Sequence, residues 1–432
     1  MMRDENPSSA ASVLIPSSQD PPSSTARLSF WDVQLYGLAA VTFTSFFPGW
    51  FHLQEYLLFS LLAAVVFVSI RDRTLPLHRS AVDLPLGLFV IWVLGTVPFA
   101  TDPGYSLSEW RKFVTHALAF YWTAAVIGRQ RDGRWKPLLV AAIVTGCLGM
   151  SVYAVGEFVI RGGSWQSRAI RAGAPSSDYN WLSTYIVLAL PMLIAAGFVY
   201  REWRQRIIVV GTAAVATLAQ VASLTRAGWL AHVVQAIAVG MVGWGRRMML
   251  IVVIGLALVG GGLMLLTRVG GPSPTMDPWT FESRIAVWKL GADELLAHPL
   301  TGIGYGNNSF LKRHPEYDPE VQRARNERER VLPAMHSTFI MVALGGGVPA
   351  LVLFIWLFAA ILRQFLIPRG EGVGRDERVL LLGAAMAILG FAVRNIFDYM
   401  FAGSLSYLFW ILAAFGVSIS FSGAVRRSTV KA

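Results

Sequence analysis

The sequence predicts an all-α polytopic membrane protein with about 12 transmembrane helices and one large outer loop that itself contains helices. Three observations predict it. The 432-residue chain is 54% hydrophobic but only 15% charged, with 15 Trp and 25 Phe, which lies outside the range of soluble globular domains. Apolar stretches of about 20 residues, the length that crosses a hydrocarbon core, recur along most of it. Basic residues also concentrate in alternate loops between those stretches, as the positive-inside rule requires of cytoplasmic loops.

Residues 1–27 are rich in Ser, Pro and Ala and lack an apolar core, so they predict a disordered cytoplasmic tail and not a cleavable signal. Residues 28–267 then hold nine spans, near 32–49, 52–70, 83–100, 111–128, 137–160, 180–200, 206–225, 227–245 and 248–267. Residues 268–335 form the only large loop, and 336–422 hold three more spans, near 336–362, 378–399 and 403–422. Residues 423–432 are read as a short cytoplasmic tail.

The loops after spans 2, 4, 6, 8 and 10 carry sixteen Lys and Arg residues, which places both termini in the cytoplasm. That topology already assigns most of the formal charge of +11 to the cytoplasmic membrane surface, so no nucleic-acid partner is required. The single cysteine, Cys147, lies inside a span, which excludes an intramolecular disulfide and reads as a small core residue.

Two outer segments break the positive-inside pattern. The loop between spans 5 and 6 carries Arg161, Arg168 and Arg171, and the hairpin between spans 7 and 8 reads Ser223-Leu-Thr-Arg226-Ala-Gly-Trp229. An Arg in such a hairpin is either snorkelling to the interface or committed to an anion. In the large loop, nine basic and nine acidic residues balance. Within it, residues 284–297 have apolar side chains at helical spacing, ended by Pro299, and predict a helix lying on the membrane.

The following Thr301-Gly-Ile-Gly-Tyr-Gly-Asn307 lacks the buried strand of a nucleotide-binding loop and reads as a turn returning the chain to the membrane surface. The charged stretch 323–330 reads as a solvated helix. His336 follows at the outer mouth of span 10; taken alone, it is as readily a satisfied interfacial histidine as a base. Arg394 and Asp398, four residues apart near the outer end of span 11, are placed to pair, either as a structural ion pair or as an orienting element for a site.

Leu224-Thr-Arg226-Ala-Gly-Trp229, Ser283-Arg284 leading to Gly302-Ile-Gly-Tyr-Gly-Asn307, and His336-Ser-Thr-Phe339 together resemble the O-antigen ligase and polymerase superfamily of bacterial inner membranes. The resemblance covers about residues 160–400. It implies a GT-C-like fold and a glycosyltransferase acting at the periplasmic face. The ligase branch transfers polysaccharide from undecaprenyl diphosphate to the outer-core sugar of lipid A-core. The single late loop and the short 5–6 loop favour ligase over polymerase, and a transporter is the reading from another class. The absence of a clear internal repeat counts against a transporter.

Such a transfer needs a group that takes the acceptor proton and positive charge for the departing diphosphate. The resemblance makes His336 the general base and places Arg226 and Arg284 on the motif positions of a diphosphate clamp. Arg161, Arg168 and Arg171 are further candidates because arginine forks match phosphate oxygens. No paired carboxylates suited to a divalent cation stand in an early outer loop, Asp102 and Glu109 being seven residues apart. The expectation is metal-independent, inverting transfer without a cofactor, with the lipid bilayer, the lipid-linked donor and lipid A-core as partners. Helices would frame an outward-facing cavity roofed by the large loop and open laterally to the polyprenyl chain.

Overall fold

A computed structural model describes residues 28–74, 79–130, 133–164, 170–241, 278–317, 335–366 and 374–430. The ninth expected span, the charged stretch 323–330, the tail 1–27 and Arg168 lie outside the described residues. Among the described residues no strand occurs, and the helices run in chain order. They are α1 (Phe30–Thr44), α2 (Phe51–Arg71), α3 (Asp83–Thr96), α4 (Pro103–Arg129), α5 (Trp135–Ile160), α6 (Tyr179–Val199) and α7 (Trp203–Ala222). After these come α8 (Arg226–Val239), α9 (Pro278–Ala297), α10 (Ser309–Arg313), α11 (Thr338–Leu366), α12 (Arg375–Phe397) and α13 (Gly403–Val430).

Among the described residues six helices are long and apolar enough to cross a membrane: Pro48–Arg71, Trp135–Ile160, Tyr179–Val199, Trp203–Ala222, Thr338–Phe365 and Arg375–Phe397. The chain is therefore an all-helical, multi-pass membrane protein. Helices α1 and α8, at 15 and 14 residues, are shorter than a standard span. Helix α9 begins six residues before the start expected at Arg284. Helix α13 continues to Val430, through most of the segment read as a tail.

Helix starts follow their capping chemistry. Ser29 and Asp32 form a reciprocal capping box at α1. Asp102 caps α4 ahead of Pro103, and the Asp178 carboxylate accepts from the N–H groups of Asn180 and Trp181 to start α6.

Helix α12 packs along α6 and α8, so the C-terminus of α12 meets the N-termini of the other two. Inside this trio Pro191 has no N–H to give to the carbonyl one turn earlier, that of Val187. Unsatisfied carbonyls are costly in hydrocarbon. Gln235 of α8 supplies the missing donor, its Nε2 lying 2.9 Å from Val187 O and 2.9 Å from Met386 O of α12. The Gln235 Oε1 lies 2.9 Å from His232 Nδ1. One amide thereby ties three helices together well below their shared end.

Helix α11, expected as one continuous span, is broken at Gly346 and Gly347, and Pro349 follows. Four groups at the break find partners outside the helix. Ile303 N–H donates to Leu344 O at 2.7 Å and Val348 N–H to Pro299 O at 2.8 Å. From α3, Trp92 Nε1 donates to Gly346 O at 2.8 Å and Thr96 Oγ1 to Gly345 O at 3.4 Å. The glycine-rich turn thus docks on the helix break itself. Gly302, at φ +66°, must be glycine, since a Cβ there would lie 2.1 Å from Leu344 O.

Candidate active site at the junction of α6, α8 and α12

Asp398 ends α12 as its cap residue, in extended conformation, with its side chain only 3% exposed. One carboxylate oxygen, Oδ2, accepts from Arg394 at 2.5 Å. The other, Oδ1, lies 2.8 Å from His336 Nδ1 and 3.7 Å from the Arg284 guanidinium. Arg394 is fully buried and donates its other NH2 group to Asn180 Oδ1 at 2.9 Å, which fixes the pair against the first turn of α6.

A carboxylate only accepts, so Nδ1 of His336 carries the proton in this contact and Nε2 presents its lone pair. The backbone around His336 is held on both sides. Thr338 Oγ1 donates to Asn395 Oδ1 at 2.5 Å and lies 3.2 Å from Asp398 O. Trp288 Nε1 of α9 donates to Met335 O at 3.0 Å. His336 itself adopts φ +44°, the left-handed region that a non-glycine residue occupies at a cost.

Arg226 is the first residue of α8, exposed, and behind it Leu224 also lies at positive φ, +51°. Among the described residues no carboxylate is within ion-pair distance of Arg226. A helix N-terminus adds its own partial positive charge there. Burial pushes the Arg284 pKa down and Asp398 pushes it up, while Arg394 and Arg226 push it down further. Arg226, Arg284 and Arg394 therefore share one electrostatic neighbourhood, in which Asp398 is the one carboxylate that acts on Arg284 among the described residues, leaving two positive charges in surplus there. Burial raises the Asp398 pKa, but Arg394, the His336 hydrogen bond and Arg284 together outweigh it and hold the carboxyl below its ordinary value.

The arginines of the 5–6 loop are placed differently. Arg171 donates Nε to Ser223 O at 2.8 Å and one NH2 to Leu224 O and Thr225 Oγ1 at 3.1 Å each. Its guanidinium also stacks on Tyr179, 3.2 Å from the ring centroid. It is a brace that holds the Leu224–Thr225 turn in front of Arg226. Arg161, at the end of α5, pairs with Glu157 at 3.1 Å on an exposed helix surface.

The other described histidines do not join Arg226, Arg284 and Arg394. His116 and His232 are buried in the helix packing, His52 faces Glu55, His298 Nε2 lies 2.9 Å from the Arg313 guanidinium, and His314 lies between Glu294 and Glu316. Among the described residues no three His, Cys, Asp or Glu side chains converge as metal ligands would.

Sequence reasoning brought out His336, Arg226, Arg284, Arg394 and Asp398 separately. It missed that Asp398 is bonded to His336 across 62 positions, and that Asn180 and Asn395 complete the network. Asn180 and Asn395 carried a weak signal, polar residues just inside the ends of apolar spans. Residues 211–355 match the family model described as O-Antigen ligase, a stretch that holds Arg226, Arg284 and His336. No curated protein matches the chain. The motif residues gather at one junction, and the segment that carries three of them, residues 211–355, is similar to the O-antigen ligase family.

Proposed function

We propose that this chain is a lipid-linked glycan transferase and, within that class, an O-antigen ligase. It transfers O-antigen polysaccharide from undecaprenyl diphosphate to the outer-core sugar of lipid A-core. The observation that carries the reading is His336, bonded to a buried carboxylate and set beside a surplus of arginine charge. In this reading Nε2 of His336 takes the proton from the acceptor hydroxyl as that oxygen attacks the anomeric carbon. The bond to the undecaprenyl diphosphate breaks in the same displacement, with inversion. Asp398 holds the imidazole in the required tautomer and stabilises the imidazolium as it forms.

Arg226 and Arg284 bind the diphosphate, whose negative charge matches the two surplus positive charges and grows as the leaving group departs. Arg394 neutralises Asp398 within the helices. Fixed guanidinium groups supply the charge that a divalent cation supplies elsewhere, so the transfer proceeds without metal. The proposed setting is the bacterial inner membrane, with twelve spans, both termini cytoplasmic and the site in the periplasm under the 268–335 loop.

The test is a lipopolysaccharide gel of a strain lacking the chain, complemented with wild type or His336→Ala. The expected result is bare core in the null and His336→Ala lanes and a full ladder with wild type. Core bearing a single repeat in the null lane would make the chain a polymerase, and a full His336→Ala ladder would remove His336 from the mechanism.

A further inference from the structure

The segment that carries Asp398 has two chemically different neighbourhoods. On the Arg394 side lie Asn180, Arg284 and Arg226, a cationic environment. On the Tyr399 side the neighbours are Glu109 and Tyr105 of α4, both within electrostatic range of the Tyr399 phenol. Tyr305 of the glycine-rich turn lies in the same group.

The glycine-rich turn brings these residues together. Thr101 N–H donates to Ile303 O at 2.9 Å, and Asn308 N–H donates to the Tyr105 hydroxyl at 3.0 Å. Gly306 comes so close that a Cβ there would lie 2.6 Å from the Tyr105 ring and 2.7 Å from Glu109 Cγ. Glu109 is held by Lys112 at 2.6 Å and keeps only 13% of its side chain exposed.

A second, independent observation points to a ligand. Ser106 Oγ, Asn307 Oδ1 and Ser309 Oγ, all on the two strands of chain that meet here, are buried and have no hydrogen-bond partner among the described residues. Ser106 and Ser309 are 1% and 4% exposed. Buried polar atoms are ordinarily satisfied. Aromatic faces, a carboxylate and several unmatched polar atoms are the donor and acceptor set that a hydroxyl-rich ring uses.

We propose that Glu109, Tyr105, Tyr399 and Asn307 bind the acceptor sugar, on the Tyr399 side of Asp398, so that its attacking hydroxyl faces His336 and the diphosphate lies on the arginine side. The proposal rests on the transferase reading above and adds the residues that select the acceptor. Glu109 accepts hydrogen bonds from sugar hydroxyls that do not react, and the tyrosine rings cover the apolar face of the ring. The base and the clamp then sit on either side of the bond being made.

The test uses the purified full chain in lipid nanodiscs, with an undecaprenyl-diphosphate-linked polysaccharide as donor and lipid A-core as acceptor. Each substrate is titrated at saturation of the other. For Glu109→Gln the expected result is an acceptor KM raised about tenfold, as loss of a charge-assisted hydrogen bond implies, with kcat and donor KM within about twofold of wild type. Asn307→Ala, which removes the unpartnered amide oxygen, should raise the acceptor KM severalfold and serves where Glu109→Gln does not give a monodisperse protein. A wild-type acceptor KM in both variants, or a rise in donor KM instead, overturns the assignment. Wild-type protein that transfers nothing to lipid A-core overturns the ligase reading itself, a result distinct from either.

Discussion

Replacing Asp398 with asparagine keeps the shape of the side chain and changes its charge and its hydrogen-bonding sense. The structure dictates how the amide must sit. Arg394 is fully buried and donates to Oδ2, so the new carbonyl must face Arg394, because the opposite orientation would point an NH2 at a guanidinium. The amide NH2 then faces His336 Nδ1 and donates to it, which moves the imidazole proton to Nε2, where the lone pair was needed. Holding the wrong tautomer in a histidine base costs about 10⁴-fold in kcat.

The same change leaves Arg394 buried opposite a neutral group and costs roughly 3 kcal/mol of stability, the lower end for a broken buried pair because Asn180 still accepts from it. The assay is single-turnover transfer from the lipid-linked donor to lipid A-core, run beside thermal unfolding in detergent. His336→Ala should be as inactive as the Asp398→Asn protein, and the double variant no worse than either, since the two residues act as a unit. A folded Asp398→Asn protein within tenfold of wild-type kcat would refute the argument, because the tautomer would then not be set by Asp398.

Arg226→Ala should raise the donor KM or lower kcat/KM by about 10- to 100-fold while leaving the acceptor KM unchanged, as measured by separate donor and acceptor titrations. Gly302→Ala should lower thermal stability by at least ~2 kcal/mol, because it adds a Cβ 2.1 Å from Leu344 O at a positive φ; an unchanged melting temperature would mean that the turn does not dock on the broken helix. Gln235→Leu should cost about 1–3 kcal/mol by leaving Val187 O without a donor, measured by the same melt. The Asp398 carboxyl is held low in the folded state, so its stabilisation is complete above the ordinary carboxylate pKa and is lost as pH falls through the lower folded value. Melting temperature against pH should therefore be flat near neutrality and drop below about pH 4, with a smaller drop in Asp398→Asn.

The helices were legible because hydrocarbon demands long apolar runs, and most of the described helices overlap an expected span, although α4 starts at Pro103 instead of 111 and α13 runs to Val430 instead of 422. The break in α11 was less so, although its cause stands in the sequence as Gly345-Gly-Gly-Val-Pro349. Three glycines and a proline predict a weak point, but only the partners from 299–303 and α3 make a break affordable at that depth. Arginine positions were legible for the same reason as the spans, since charge beside an apolar run stands out. Their roles were not. Arg171 and Arg226 look alike in sequence, yet one is spent on backbone carbonyls and a tyrosine face, and the other has no carboxylate partner among the described residues. The His336–Asp398 contact joins residues whose sequence surroundings give no hint of each other, because helix packing alone sets their distance.

Leu224 and His336, one beside the proposed clamp and one the proposed base, both sit in left-handed backbone, which costs about 1–3 kcal/mol at each. Such strain persists only where the surroundings over-determine it, and here they do. Arg171 takes the carbonyls of Ser223 and Leu224, while Trp288 holds Met335 O and Thr338 is tied to Asn395. If either residue relaxed to ordinary φ, those hydrogen bonds would be lost and the following side chains redirected. The strain is therefore coupled to the direction in which Arg226 and His336 point. A site that neutralises a departing diphosphate with fixed charges gains most when those charges need no reorganisation as the bond breaks. The proposed transfer thus accounts for bracing that falls on the backbone immediately around Arg226 and His336, while the Arg226 guanidinium and the His336 Nε2 are the tips that this proposal gives to substrate.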